Sequence, residues 1–319
     1  MTEIHRGLIS CELTIPSFAS GACFLNVVLP DLARSSDLRE KSDREMSIVW
    51  LTAPYISAGA LQLLYSLRLA YPPSLVSPGR QIQISGPIQG GPRWDQLRLL
   101  LDTSFYLGLA LYSLFVYLLL RRRNHHFARQ VLLYEDVLRW ARNLVTKDST
   151  RVDAAPTLGR LERTLSEARV DETRQDPVIW AVLTFLSSWF LSYFLFGTLL
   201  TGLLTFYPYN FLMKNFYRHE RREDEFLEQL TLLMPQQGVP FDFRKREFRI
   251  PNRNTALYLF LSLFTLGLFT IYWVYVLLKD PNKHFRHHEL AEETMISQMS
   301  KLVSQPLGDE LSDQKSLFP

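Results

Sequence analysis

Apolar residues along this chain are gathered into uncharged blocks separated by charged connections, rather than recurring at one helical or strand period throughout. Four blocks stand out: Ser47–Leu67, Thr103–Leu120, Pro177–Met213 and Thr255–Leu278, none holding Asp, Glu, Lys, Arg or His. As a helix, Ser47–Leu67 reaches about 31 Å, the thickness of a bilayer core. Pro177–Met213 would run about 55 Å as one helix, so it is expected to double back, with the turn at Tyr193–Thr198 around Gly197. Thr255–Leu278 is long enough to cross once, but both of its flanks are basic. A re-entrant hairpin bending near Thr265–Gly267 is the preferred reading over a plain span.

The connections carry their own periodicity. Phe127, Val131, Tyr134, Leu138, Ala141 and Val145 alternate steps of four and three, the spacing of a seam on one helix face. Leu158, Leu161, Leu165 and Ala168 repeat it beyond a polar break at Lys147–Thr157, which predicts a helical hairpin whose stripes pack within the chain. Phe226, Leu227, Leu230 and Leu233 mark a further amphipathic helix over about Glu220–Met234. Gln236–Pro251 sets Phe241, Phe243, Phe248 and Ile250 among Arg and Lys and reads as chain lying in the headgroup region. Residues 68–102 are crowded with Pro and Gly and read as an irregular loop, with Gln81–Ser85 as a short strand. The tail Ser304–Pro319 is polar and expected to lack structure.

These elements describe an all-α, polytopic membrane protein with about 5–6 membrane segments and cytoplasmic amphipathic helices. It divides into an N-terminal segment 1–46, a first membrane hairpin 47–120 with the extracytoplasmic loop 68–102, and a cytoplasmic hairpin 121–176. A second membrane hairpin 177–213, an amphipathic and basic interfacial segment 214–254, a last membrane segment 255–278 and a C-terminal helix and tail 279–319 follow. Orientation comes from charge: Lys and Arg number four in 68–102 and twelve in 121–176, so the second is expected inside. The expected location is the plasma membrane, with both termini cytoplasmic.

The blocks are related to one another. Val274–Phe285 (VYVLLKDPNKHF) aligns without gaps on Val116–Phe127 (VYLLLRRRNHHF), and Thr201–Lys214 lies more faintly on Leu266–Lys279, keeping Gly202/Gly267, Thr205/Thr270, Tyr207/Tyr272 and Lys214/Lys279. Three related units result, each an apolar segment leaving through Lys or Arg into a histidine-bearing junction and then an amphipathic helix. The run TLGLFTIYWVY, Thr265–Tyr275, resembles the T-x-G-x-aromatic-x-x-Y-W signature of small prokaryotic membrane domains of unknown function, of the type numbered 4234. The resemblance implies a multi-pass membrane protein and brings no catalytic residues with it.

Composition changes little in this picture. A net charge of +3 is too small to imply nucleic acid, and mean hydropathy near zero is the average of apolar blocks and charged connections. Cys11 and Cys23 have no partner at metal spacing and read as free thiols. Leu8–Cys11 only superficially resembles a lipoprotein box, since too little apolar chain precedes it.

Candidate chemistry concentrates at the junctions, where His125, His126, His219, His284, His287 and His288 all fall just after an apolar segment. His284 and His288 lie one helical turn apart, so His284, His287, His288, His125 and His126 are the metal candidates. The alternatives are a pH-responsive contact, or plain membership of the basic collar at lipid headgroups, which is the preferred reading. That collar comprises Arg121, Arg122, Arg123, Lys214, Arg218, Lys279, Lys283 and Arg286. No ionisable residue lies inside a block, which argues against a proton- or ion-driven carrier. No nucleophile elbow, phosphate loop or His-Glu-x-x-His motif is present, and no catalytic residue or cofactor is expected. The leading expectation is a non-enzymatic scaffold, assembly or sensing component. Its partners would be a bilayer with anionic headgroups, further copies of itself as a homo-oligomer and a cytoplasmic protein bound through 127–170. A passive channel formed by a homo-oligomer stands second, and a membrane enzyme with a His-bound metal third.

Overall fold

The structure, a computed structural model, describes residues 38–56, 59, 63, 92–147, 154–191, 197–236, 241, 248–265 and 267–304. Expectations for the N-terminal run, much of the second half of the first apolar block, Gln81–Ser85, the turn between 192 and 196, most of Gln236–Pro251 and the tail lie outside these residues. Among the described residues the chain is helical, without strands. After a 3-10 turn, Ile48–Thr52, come α1 (Pro92–Lys147), α2 (Ala154–Asp171), α3 (Pro177–Leu191), α4 (Gly197–Gln236), α5 (Thr255–Phe264) and α6 (Leu268–Ser304).

Helix α1 begins inside the stretch read as loop, because the uncharged block marks where charge ends and not where helix begins. Pro92 suits a first helical turn, where its missing N–H is not needed, and Gln96, Leu97, Arg98 and Leu99 are good helix formers. Asp176 starts α3 by accepting from the backbone N–H of Val178 at 2.8 Å and Ile179 at 3.2 Å, with Pro177 at the first position. Asn254 does the same for α5, accepting from Ala256 N at 3.0 Å and Leu257 N at 3.3 Å.

Between α5 and α6 the chain reverses at the expected place. The Thr265 hydroxyl accepts from Phe269 N at 2.9 Å, and Gly267 N donates to Ser262 O at 2.7 Å. Gly267 takes φ of 92°, a conformation that a Cβ penalises even though nothing stands within 4 Å of that position. Gly267→Ala should therefore cost about 1–2 kcal/mol through backbone strain alone, seen as a lower melting temperature with unchanged helicity. Because α5 has 10 residues it is only about 15 Å long, short of a bilayer core. Among the described residues one helical stretch, Leu99–Thr146, is long and apolar enough to cross a membrane, and Pro177–Ser187 and Thr255–Phe264 are shorter apolar pieces, which is consistent with a membrane protein. Leu99, Leu107, Ile179, Val182, Phe260 and Phe264 point outward from these helices.

Helices α1, α4 and α6 each pass through the same three layers. The first is an apolar core in which Phe115, Leu120, Tyr209, Leu212, Trp273 and Leu277 meet. The third is a second apolar core, where Tyr134, Val137 and Leu138 of α1, Leu161 and Leu165 of α2, Phe226 and Leu230 of α4 and Met295 of α6 pack together. The stripes on 127–145, 158–168 and 226–233 are thus spent largely inside the chain. Between the two cores lies a buried polar layer with Arg123, His126, Arg129, His219, Glu220, Glu223, His284, His288 and Glu292.

Candidate metal centre

Three histidines of the polar layer share one register in the sequence alignments. Extending both alignments without gaps brings His126, His219 and His284 into one register, and these three side chains converge although 93 and 158 residues separate the second and third from the first. His126 stands on α1 six residues beyond the apolar block ending at Leu120, and His219 and His284 stand equally far beyond Met213 and Leu278 on α4 and α6. All three are fully enclosed, at 0–1% exposure.

Their Nε2 atoms face inward. His126 Nε2 lies 3.2 Å from Nε2 of both His219 and His284, and one ring nitrogen from each of the three falls within 4.8 Å of the others. A tetrahedral ion with metal–nitrogen bonds of about 2.05 Å needs its nitrogens about 3.3 Å apart. The two 3.2 Å separations agree with that requirement, and the third pair lies within 4.8 Å.

Their Nδ1 atoms face outward, each toward a carboxylate. His126 Nδ1 is 2.8 Å from Asp43 Oδ1, His219 Nδ1 is 2.9 Å from Glu172 Oε1, and His284 Nδ1 is 3.5 Å from Glu220 Oε2. An ionised carboxylate only accepts, so the two shorter contacts place the ring proton on Nδ1 of His126 and of His219 and leave their Nε2 lone pairs directed into the cluster. Converging lone pairs in a water-excluded layer favour a cation between them, and oriented imidazoles backed by carboxylates are how proteins present nitrogen to a metal.

The electrostatics support a neutral ring at His126. Burial pushes His126 down to about 4 despite the pull of Asp43, so the ring is unprotonated near neutrality. Burial works against Asp43 ionising as well, but His126 and Arg129 outweigh it and hold the carboxyl far below its usual range; Arg129 Nη2 donates to it at 2.8 Å. Glu172 is likewise held low against burial by His219 and Arg222, whose Nε donates at 3.1 Å. Glu220 Oε1 accepts from the backbone N–H of Ile250 at 2.7 Å, which fixes the third carboxylate.

One turn further along α6, His288 stands between Glu292, 2.9 Å from its Nδ1, and Glu223, 3.3 Å from its Nε2. Burial alone would lower its pKa, but the two carboxylates raise it. His288 thus borders the centre, with both ring nitrogens turned to these carboxylates. Glu223 also comes within 3.7 Å of His284 Nε2, the nearest carboxylate to a fourth coordination position.

Of the histidines singled out in the sequence, His126 and His284 enter the centre, and His288 borders it. His125 is exposed on α1, and His287 stacks on Phe248 with ring centroids 6.3 Å apart. His219 was noted only as a junction residue, and the register shared with His126 and His284 was the signal that picks it out. Asp43 and Glu172 lie outside the aligned stretches, so nothing in the repeat pointed to them.

The basic collar divides in the same way. Arg123 is enclosed, donating to the Thr173 carbonyl at 2.7 Å with its guanidinium over Phe127, and Arg122 donates to Asn282 Oδ1 at 2.6 Å. Lys214 donates to Asn252 and to the Arg253 carbonyl, both at 2.8 Å. Lys279 and Lys283 lie over Tyr275 and Phe248, and Arg286 binds Glu45. Arg121 and Arg218 are exposed.

Residues 253–305, which hold α5, α6, His284 and His288, match the model of a family described only as a domain of unknown function (DUF4234). This is the family that the Thr265–Tyr275 signature resembles. No curated protein and no solved structure matches the chain.

Proposed function

We propose that this chain is a multi-pass membrane protein in which one divalent transition metal, bound by His126, His219 and His284, ties three re-entrant or spanning helical units together at the membrane boundary. The observation that carries the reading is the convergence of three repeat-equivalent histidines, each backed by its own carboxylate. Neutral imidazoles at tetrahedral spacing suit zinc, and cobalt, nickel and copper bind the same nitrogens. The outward-facing apolar side chains of α1, α3, α5 and α6 supply a lipid-facing belt, and the short α5 favours a hairpin that enters and leaves on one side. The distal bundle around α2 then lies in the cytoplasm, as the positive-inside count favours, and its charged outer face is the surface offered to a soluble partner.

The role is non-enzymatic assembly or sensing. With all three ligands 0–1% exposed, a substrate has no direct approach to the ion, whereas a change in metal occupancy reaches every unit at once. A second reading, a metal-dependent membrane enzyme, is favoured by one detail: three nitrogens leave a tetrahedral ion one open position, with Glu223 beside it.

Metal analysis of the detergent-purified chain decides the centre. One equivalent of metal per chain is expected, absent from the His126→Ala, His284→Ala variant. A wild-type chain that is folded, metal-free and unable to take up zinc, cobalt, nickel or copper overturns the proposal. Mass in detergent reports separately whether the protein is a homo-oligomer.

A further inference from the structure

We infer that a second site, separate from the histidine centre, binds the phosphate of an anionic membrane lipid. It rests on the reading of the chain as a membrane protein. A groove of about 480 Å³ opens where the segment before the first 3-10 turn meets α1, just beyond the apolar block that ends at Leu120. Lys41 and Arg44 form one wall, and Arg121, Arg122 and His125 the other, which gathers cationic side chains from two distant stretches at one depth. Trp50 and Leu118 continue the groove toward the apolar block, so its lining changes from cationic to apolar along the direction a lipid would follow from headgroup to chain.

The charge on this wall is undercompensated. Glu45 is the acid in the lining, and the exposed Arg286 guanidinium already grips both of its oxygens. Arg122 is 8% exposed, and beyond its bond to Asn282 its Nε and Nη1 have no partner among the described residues. An anion held nearby offsets the cost of keeping that guanidinium out of water. Lys41, Arg44 and Arg121 are exposed and have no ion pair among the described residues, so they are at liberty to turn onto a phosphate. The chemistry is recognition of a phosphate monoanion by fixed cations beside an apolar slot, and the apolar half assigns it to a lipid rather than to free phosphate.

Native mass spectrometry of the full chain in detergent tests this, with phosphatidylglycerol, phosphatidylcholine and inorganic phosphate as the three probes. Phosphatidylglycerol should be retained in preference to phosphatidylcholine, and inorganic phosphate should not displace it. The Lys41→Gln, Arg44→Gln, Arg121→Gln variant should bind it about a hundredfold more weakly, while Arg142→Gln, Arg163→Gln on the distal bundle leaves binding unchanged. Equal retention of both lipids, full displacement by inorganic phosphate, or an unaffected triple variant each overturns the proposal. Extraction of the membrane fraction with carbonate is read alongside: a chain released by carbonate defeats the membrane reading itself, whereas a retained chain without lipid preference defeats this site alone. Unchanged metal content and melting temperature in the triple variant show that its fold is intact.

Discussion

Replacing His219 with Ala abolishes stoichiometric metal binding and, with it, the chelator sensitivity of the melting temperature. A ligand present at about a thousand times its Kd stabilises the folded state by roughly 4 kcal/mol, and for a chain of this size each kcal/mol moves the melting temperature by about 2–4 °C. Chelation of the wild type should therefore lower the transition by roughly 8–16 °C. His219→Ala should start near the lowered value and respond no further. Removing only the carboxylate behind one ligand is the graded control: Asp43→Asn keeps the shape but weakens the hold on the Nδ1 proton, and about 10- to 100-fold in metal affinity is the usual consequence. Chelator-independent melting in the wild type would sink the idea that a metal joins the units. A His219→Ala protein that still melts lower on chelation would show that the ion sits elsewhere.

Arg129→Met destabilises the fold by about 3–5 kcal/mol whether or not metal is bound. Its Nη1 donates to both oxygens of Glu292, at 2.6 and 2.8 Å, and its Nη2 to Asp43 at 2.8 Å, with the guanidinium itself 2% exposed. Truncation takes the guanidinium from two carboxylates in a water-excluded layer, leaving Asp43 with His126 and Glu292 with His288 and Arg39, and removing one partner is the expensive half of breaking a buried pair. Pairing it with Glu292→Met should recover part of the loss, since an apolar pair of similar volume replaces one ionic partner set. Acid acts on the same contact. Burial opposes ionisation of Glu292, but His288 and Arg129 more than reverse this, so its folded pKa is depressed. The stability it contributes is complete above its unfolded pKa of about 4.3 and is lost as pH falls through the lower folded value. Melting curves between neutral pH and pH 3 should thus converge for wild type and Arg129→Met, and parallel curves would argue against the assignment.

How far the sequence reveals this arrangement depends on which physical signal each part rests on. The stripes on 127–145 and 226–233 were legible because one buried helix face imposes a period, and the bend at Gly267 because a glycine interrupts an apolar run between basic flanks. The start of α1 at Pro92 was hidden by treating charge as a helix boundary, although Arg98 and Asp102 sit comfortably on a helix. The histidines were seen, and headgroup contact was the natural expectation for imidazoles beside arginines. Enclosure of His126, His219 and His284 replaces that environment with one another, and burial depends on how three distant helices meet. Asp43 and Glu172 have no local signature at all, since a carboxylate behind an imidazole is placed by tertiary structure and not by spacing in the chain.

On the proposed three-unit reading, one imidazole per unit has an evolutionary corollary. A polypeptide holding a single such unit would present only one inward-facing nitrogen, so it would reach a three-nitrogen centre only by gathering three copies around a common axis. Carrying all three on one chain would make that encounter independent of concentration.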